Sequence, residues 1–337
     1  MARACLKVKK IVYLHYIRSL RMGNSDKNIE LSVVQRIGLA MLWGFSCAVS
    51  YSPRWVRFGI VQPLVNLLLH LIGYRRKMVM SNLASAFPEK SKAEIRKIRN
   101  RFYATLSEVI VDTISLAKTS PKHRGRNITW DNGEEHRRSV AGRDWVALAA
   151  HFGCWEYFPM WAWELPDDKF MSVYHPLRSK VFEAYYRRIR SYAPNISQVA
   201  MKDSVRHYIS HRSKDYGTCL GLISDQSPRM TADTEWLDFF GRKTAFVDGG
   251  ERLAIKFGLP AYFCYTRRVR RGEYAVRFVQ IYDGVEHVEH HDIMRRYARL
   301  LEQMVAECPE LWMWSHNRWR HTPETQRKKY GRSTLDE

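Results

Sequence analysis

A histidine and a glutamate at a fixed spacing are the residues of this sequence best suited to chemistry. They are the first and last residues of the run His151-Phe-Gly-Cys-Trp-Glu156. This run begins directly after a predicted apolar strand, Trp145 to Ala150. Open α/β sheets bind ligands in loops beyond the carboxyl ends of their strands. A carboxylate that holds an imidazole fixes its tautomer and raises its basicity, so the pattern predicts a general base, His151, held by Glu156. The two residues alone leave open a core histidine beside an unrelated glutamate.

Two other groups of residues have side chains suited to chemistry. Cys154 lies inside the same run, but a cysteine three residues after a histidine is not a sufficient geometry for an activated thiol, so we predict that it packs. The run from Glu286 to Asp292 (EHVEHHD) has ligand types that suit zinc. Because Asp292 is a good cap for a following helix, we interpret this run as a polar loop and predict neither a metal ion nor a cofactor.

Strands and helices that could position these residues alternate along the chain. Ser91-Lys-Ala-Glu94 is a capping box that opens a helix towards Ile114. Predicted strands cover residues 145–150, 170–174, 219–224, 261–266 and 274–282, and predicted helices cover residues 156–164, 180–192, 249–257 and 292–308. This alternation predicts an α/β fold, with a mixed, mostly parallel sheet and helices on both of its faces.

The first 77 residues differ in character and predict a membrane-associating helical region. Ile37–Tyr51 contains no charge, but at about 1.5 Å per residue it reaches only about 22 Å, short of the roughly 30 Å hydrocarbon core. Phe58–Tyr74 is a second apolar run, and the basic residues 75–77 follow it, as expected at an anionic membrane surface. A true span and an interfacial helix both stay open. Residues 78–330 are the predicted catalytic domain.

The net positive charge of the chain predicts acidic binding partners. Lys and Arg number 55 against 34 Asp and Glu in 337 residues, a formal net charge of +21. Nucleic acid, anionic lipid, a phosphorylated substrate and an acidic protein are the candidate partners. Nucleic acid is disfavoured because the sequence has no zinc-finger spacing, RNP signature or basic heptad array. Scattered cysteines and the lack of an evident cleavable signal peptide favour a catalytic part in the reducing cytoplasm.

Six segments, in order, resemble the bacterial lipid A biosynthesis acyltransferases, within the lysophospholipid acyltransferase superfamily. His151–Glu156 resembles the HX4(D/E) box of that family. The other similar segments are Ser81–Glu89 (SNLASAFPE), Val173–Pro176 with Arg188–Arg190, Leu222–Gln226 (LISDQ), Phe239–Arg242 (FFGR) and Trp312–Arg320 (WMWSHNRWR). The likeness spans residues 75 to 323, and an ordered set of this kind is far more specific than one box.

The resemblance implies an acyl transfer carried out by these residues. His151 takes a proton from a hydroxyl that attacks an acyl thioester, Glu156 holds His151, and Arg190 or backbone N–H groups stabilise the oxyanion. It further implies acyl carrier protein as donor and a phosphorylated glucosamine lipid as acceptor, at the cytoplasmic face of the inner membrane. A lysophospholipid or an aminolipid is the alternative acceptor. The substrate-binding candidates are Arg190, Arg188, Asp225, Gln226 and Arg242.

Three features within the similar segments leave alternatives open. Asp225, at the end of a predicted strand, holds a substrate group, orients a basic residue or makes a structural hydrogen bond. His175 stands where many family members have arginine, so an anion-binding role is not carried over to it. The tryptophans and basic residues of Trp312–His321 are either core tryptophans beside surface charges or a patch at lipid headgroups, and the apolar runs upstream favour the lipid.

Overall fold

Residues 29–336 are described by the structure, which is a computed structural model. The basic N-terminal residues and Cys5 lie outside the described residues.

The helices and strands follow one another in the alternating order that the sequence predicts. The α-helices are α1 (Val33–Tyr51), α2 (Arg54–Val56), α3 (Gln62–Leu71), α4 (Arg76–Ala86), α5 (Lys92–Ile114), α6 (Pro121–Arg124), α7 (Gly133–Val140), α8 (Lys180–Arg190), α9 (Ser204–His211), α10 (Gly249–Phe257), α11 (Asp292–Glu307) and α12 (Pro323–Tyr330). The strands are β1 (Ile128–Trp130), β2 (Trp145–Ala149), β3 (Lys169–Tyr174), β4 (Ile196–Ala200), β5 (Thr218–Ile223), β6 (Leu237–Phe239), β7 (Arg242–Thr244), β8 (Ala261–Arg270) and β9 (Glu273–Tyr282). A π-helical turn covers Arg57–Val61, and 3-10 helices cover Ser115–Lys118, Gly125–Asn127, Trp155–Trp163, Met201–Asp203 and Pro309–Leu311.

Seven strands form one sheet in the order β1-β9-β8-β2-β5-β3-β4. The five neighbours from β8 to β4 run parallel, whereas β9 runs antiparallel to β8 and carries β1 parallel to itself. The side chains of β2 alternate between two cores: Val146 and Leu148 pack with residues of α10 and α11, and Trp145 and Ala147 pack with residues of α7 and α8. The predicted α/β fold, a mostly parallel sheet with helices on both faces, is confirmed.

The register between β2 and β5 decides where the functional loops meet. Ala149 lies opposite Ile223 in this parallel pair. Continuing the register by two residues places His151 opposite Asp225, because the carboxyl ends of parallel strands lie at the same edge of the sheet. Strand order therefore brings together two residues that are distant in the sequence.

Local sequence signals explain most element boundaries. The capping box of Ser91 and Glu94 is present, and α5 runs to Ile114 as predicted. The segment Trp155–Trp163 winds as a 3-10 helix instead of the predicted α-helix; Pro159 within it removes a backbone donor. Asp292 is the first residue of α11, and the N-cap is His291, whose backbone is left-handed. The cysteines of residues 29–336 form no disulfide.

The first described helix, α1, has one apolar face that the rest of residues 29–336 leaves uncovered. Val33, Ile37, Met41 and Phe45 recur every fourth residue and are more than half exposed. The helix is long and apolar enough to cross a membrane by length and composition. Its opposite face packs on the domain, because Ser46 Oγ lies 2.7 Å from the Tyr185 hydroxyl of α8.

One buried histidine makes stability sensitive to acid. His136 stacks on Phe278 with ring centroids 3.8 Å apart, and neither of its ring nitrogens has a hydrogen-bond partner among residues 29–336. Burial lowers its pKa to about 3 from 6.5. Between these two pH values the unfolded chain binds a proton that the folded chain refuses, so stability falls as the pH falls.

We expect His136→Phe to flatten this pH dependence. On acidification from pH 6.5, the free energy of unfolding of the variant should fall by about 1.4 kcal/mol less per pH unit than that of the parent. At pH 7 the variant should be no less stable than the parent, since no hydrogen bond is removed. Thermal and urea unfolding in detergent at a series of pH values measures both effects. Equal slopes for parent and variant would contradict the prediction.

Candidate active site

A buried aspartate holds the histidine of the box. Asp225 Oδ1 lies 2.7 Å from His151 Nδ1, and Asp225 Oδ2 accepts the backbone N–H of His151 at 3.0 Å. The indole Nε1–H of Trp312 donates to the same Oδ2 at 2.7 Å. Three N–H donors therefore satisfy a carboxylate that is almost fully buried.

These donors keep the aspartate ionised in spite of its burial. Burial on its own raises the pKa of a carboxyl group, but the nearby imidazole and the three hydrogen bonds together hold the pKa of Asp225 below its ordinary value. An ionised Asp225 accepts a hydrogen bond from His151 Nδ1–H and stabilises the ring when it becomes positively charged. This is the geometry of an imidazole that takes up and returns a proton.

The other ring nitrogen of His151 faces an amide. Gln226 Nε2 lies 3.3 Å from His151 Nε2. An amide NH2 can only donate, so this contact assigns the lone pair to Nε2 and the proton to Nδ1, in agreement with the contact to Asp225. The side chain of His151 is 18% exposed, so the ring is not sealed inside the core. A hydroxyl that replaces the amide would meet a basic nitrogen.

Glu156 does not hold His151, and this corrects the pairing expected from the box. Its carboxylate accepts two hydrogen bonds from Arg190, one from Nε at 2.7 Å and one from Nη2 at 2.5 Å. Burial disfavours the charge on the guanidinium, but the Glu156 carboxylate more than compensates and raises the pKa of Arg190. The bidentate pair joins the helix after the box to the last residue of α8.

A tight turn after β2 makes room for this arrangement. Gly153 has a φ of +57°, and a Cβ there would lie 2.4 Å from the ring of Tyr274. The turn binds the C-terminal segment, because the Gly153 N–H donates to the Leu311 carbonyl at 2.9 Å and Phe152 forms a β-bridge with Trp312. The box is thus clamped between β9 and the C-terminal segment.

The C-terminal tryptophans belong to the core and not to a headgroup patch. Trp312 and Trp314 are buried, and Trp312 contributes a hydrogen bond to the site. The interpretation of this segment as a lipid contact is therefore wrong for these two residues. Aromatic side chains flanked by basic ones look alike in both settings in the sequence, and their burial and the partner of the indole N–H separate them in the structure.

Two further residues of the C-terminal segment were not predicted as part of the site. Arg318 is buried, donates to the Ala245 carbonyl at 2.7 Å, and has its pKa lowered to about 10 by burial, which the charge of Asp225 partly offsets. His316 accepts the Ser227 N–H at 3.0 Å, and burial lowers its pKa to about 4, so its ring is neutral at pH 7. The signal was present in the sequence as the run from Trp312 to Arg320.

The remaining candidates have contacts that do not involve His151. Arg188 stacks on Trp43 of α1, with its guanidinium carbon 4.0 Å from the ring centroid. Arg242 lies over Trp319 and, together with Lys77, lines a polar cleft of about 320 Å³. Cys154 is buried, and burial raises the pKa of its thiol, which suits packing and opposes a thiolate nucleophile.

The ion pair of Glu156 and Arg190 yields a stability prediction. Glu156→Leu leaves a buried guanidinium uncompensated and should lower the free energy of unfolding by about 3 kcal/mol. Adding Arg190→Met removes that charge and should recover most of the loss. Urea unfolding in detergent, followed by tryptophan fluorescence, compares the two variants. If the double variant is less stable than the single one, the charge is not the cause.

Comparisons with known proteins agree with the resemblance. A family model described as bacterial lipid A biosynthesis acyltransferase matches residues 25–321. The chain is 22% identical over 281 residues to the lipid A biosynthesis myristoyltransferase of Escherichia coli (strain K12), which covers 82% of this chain and 84% of the relative. The same figures hold for lipid A biosynthesis acyltransferase 1 of Shigella flexneri.

Among solved structures, the 1-acyl-sn-glycerophosphate acyltransferase of Thermotoga maritima is similar over 83% of this chain and 99% of its own, with a TM-score of 0.34 and 11% identity. A likeness at this level has no bearing on function. The family model covers most of the chain, and the chain belongs to the bacterial lipid A biosynthesis acyltransferase family.

Proposed function

We propose that this acyltransferase moves a fatty acyl chain from the thioester of acyl carrier protein to a hydroxyl of a phosphorylated glucosamine lipid. The buried pair of His151 and Asp225, at the ends of adjacent parallel strands, is the observation that carries the proposal. The pair provides a base: His151 Nε2 carries the lone pair that takes the proton, and buried Asp225 balances the positive charge that the ring then acquires. Family membership supplies the reaction class and the lipid acceptor.

The proton and the bonds balance without a covalent enzyme intermediate. His151 Nε2 takes the proton of the acceptor hydroxyl as its oxygen bonds to the thioester carbonyl carbon. The tetrahedral oxyanion collapses, the carbon–sulfur bond breaks, and the imidazolium returns the proton to the departing thiolate. Asp225 stabilises the imidazolium throughout. Gln226, which contacts Nε2 at 3.3 Å, moves aside for the hydroxyl.

Glu156 and Arg190 serve this reaction indirectly in our proposal. Their two hydrogen bonds fix the segment that follows His151 and hold a guanidinium at the end of α8. Glu156 is a positioning residue for Arg190, and Arg190 supplies positive charge for the oxyanion or the phosphate of the donor arm. The partner expected for His151 from the box is thus replaced by Asp225, which is distant in the sequence.

Basic residues other than those around His151 support the proposal that the substrates are acidic. The cleft lined by Lys77 and Arg242 also presents Ser81 and Asn317, a set of donors that suits a phosphate group. We propose that it takes a phosphate of the acceptor. The net charge of +21 attracts both an acidic carrier protein and an anionic membrane.

The exposed apolar surface supports action at the cytoplasmic face of the inner membrane. In addition to the apolar face of α1, the helix α3 exposes Leu64, Leu67, Leu68 and Leu71 by more than half. We propose that residues 1–77 form the membrane-associating region and residues 78–330 the catalytic domain. The packing of α1 on α8 favours a helix that lies in one leaflet over one that crosses the bilayer.

The assignment of the base and its partner is tested by two matched carboxylate-to-amide changes. His151→Ala should lower kcat by about 10²- to 10⁴-fold with acyl carrier protein thioester and the phosphorylated lipid, measured by mass spectrometry of the product. Asp225→Asn should cost a similar factor, because its NH2 group faces Nδ1 and moves the ring proton to Nε2. Glu156→Gln should leave the tautomer unchanged.

Nitrogen NMR of histidine-labelled protein separates the two carboxylates, with the His151 signals identified from a His151→Gln sample. Asp225→Asn should exchange the two ring-nitrogen shifts of His151, and Glu156→Gln should not. A tautomer change in Glu156→Gln alone would restore the pairing first expected. Equal activity of His151→Ala and the parent would remove the proposed base, and transfer to a lysophospholipid but not to the glucosamine lipid would overturn the acceptor.

The proposed membrane contact of α1 is tested by placing negative charge on the apolar face of this helix. Ile37→Glu combined with Met41→Glu should lower partitioning into vesicles of phosphatidylethanolamine and phosphatidylglycerol by about tenfold or more, because a carboxylate resists transfer into lipid. Val285→Glu is the matched control, since Val285 is 85% exposed on another part of the chain. Flotation assays with the full chain measure the change. Equal flotation of the α1 double variant and the control would place the contact elsewhere.

A further inference from the structure

Three residues with metal-binding side chains converge away from the active site. Glu235 lies in the loop between β5 and β6, and His290 and His291 immediately precede α11. One ligand atom from each of the three lies within 4.8 Å of the others. The two histidines belong to the run interpreted from the sequence as a polar loop, and Glu235 lies more than fifty residues before them.

Other acidic residues of this run have structural partners. Glu286 pairs with Arg296 at 2.5 Å, and Asp292 accepts hydrogen bonds from Arg295 and from the Glu289 N–H. The expected loop structure therefore accounts for these two carboxylates. It does not account for two adjacent imidazoles whose centroids lie 3.8 Å apart and which face a third ligand.

A second, independent observation points into the same cluster. Glu251 of α10 is 1% exposed, and its Oε1 accepts the Ile293 N–H at 3.2 Å. Its Oε2 is buried without a hydrogen-bond partner among residues 29–336 and lies 3.5 Å from His291 Nδ1. A buried carboxylate oxygen without a partner is costly, and a nearby ring N–H can satisfy it with a small movement.

This is the arrangement that orients a histidine towards a metal. A metal-binding histidine typically donates its second ring N–H to a carboxylate, which fixes the tautomer and strengthens the ligand. With the Nδ1 proton of His291 directed to Glu251, its Nε2 lone pair is left for a cation. Glu235 and His290 are the more exposed members, so their side chains can rotate to close the roughly 2.0–2.2 Å bonds that zinc forms.

We infer that Glu235, His290 and His291 bind one divalent transition metal ion, with Glu251 as the buried partner of His291. Two imidazoles and one carboxylate are a ligand set that zinc favours, and they leave one coordination position for water. The ion links the loop that begins with Ser224 and Asp225 to the start of α11. Its role is structural, since it fixes the loop that carries Asp225 and Gln226, and the inference does not depend on the acyl acceptor.

The test is metal binding by the full chain in detergent after removal of metal with a chelator. Titration with zinc should give one tight equivalent by calorimetry, and cobalt should give the visible absorption of a four-coordinate ion. His290→Ala changes an exposed side chain and should weaken zinc binding at least tenfold. His291→Asn, which tolerates the left-handed backbone of this position, should do the same. Glu251→Gln should weaken binding by about 10- to 100-fold.

A second histidine pair provides the matched control. His207 and His211 stack one turn apart on α9, with centroids 4.0 Å apart, and are an alternative zinc ligand pair. His207→Ala should retain the tight equivalent. The inference is overturned if the parent takes up no stoichiometric zinc, if His290→Ala and His291→Asn bind as the parent does, or if His207→Ala abolishes binding. Because the readout is binding, failure here is distinct from failure of the proposed acyl transfer.

Discussion

The hydrogen bond between His151 and Asp225 is the interaction on which the rest of the site depends. An ionised carboxylate in a protein interior is costly unless donors surround it, and this one has an imidazole, a backbone N–H and an indole N–H at 2.7 to 3.0 Å. Those donors come from the end of β2 and from the C-terminal segment. The site therefore requires that β2 and β5 end side by side, so that His151 can reach Asp225. It also requires Trp312 to supply the remaining hydrogen bond to the carboxylate.

The C-terminal segment completes the site and fixes its backbone. Phe152 bridges to Trp312, and the Met313 N–H donates to the His151 carbonyl at 3.1 Å, so the turn that carries the histidine behaves as an added edge of the sheet. Arg318 is buried nearby and interacts with the charge of Asp225. The site therefore depends on contacts between residues more than 150 positions apart in the sequence.

Sequence patterns predicted the elements well and the pairing of the functional groups poorly. The capping box before α5 and the apolar runs of β2 and β5 depend on local interactions, so they can be recognised in one segment at a time. The choice between Glu156 and Asp225 as partner of His151 depends on which strand lies beside β2, and strand order is set by long-range packing. For the same reason the sequence did not predict that Glu235 lies beside His290 and His291, because no local pattern in either segment indicates contact with the other.

Helix α8 connects the apolar surface to the site. At one end of this connection Tyr185 contacts Ser46 of α1 and Arg188 stacks on Trp43, and at the other end Arg190 binds Glu156. These residues share the last two turns of one helix, so α8 contacts both α1 and the segment that follows His151. The position of α1 and the position of the Glu156–Arg190 pair therefore depend on contacts with the same helix.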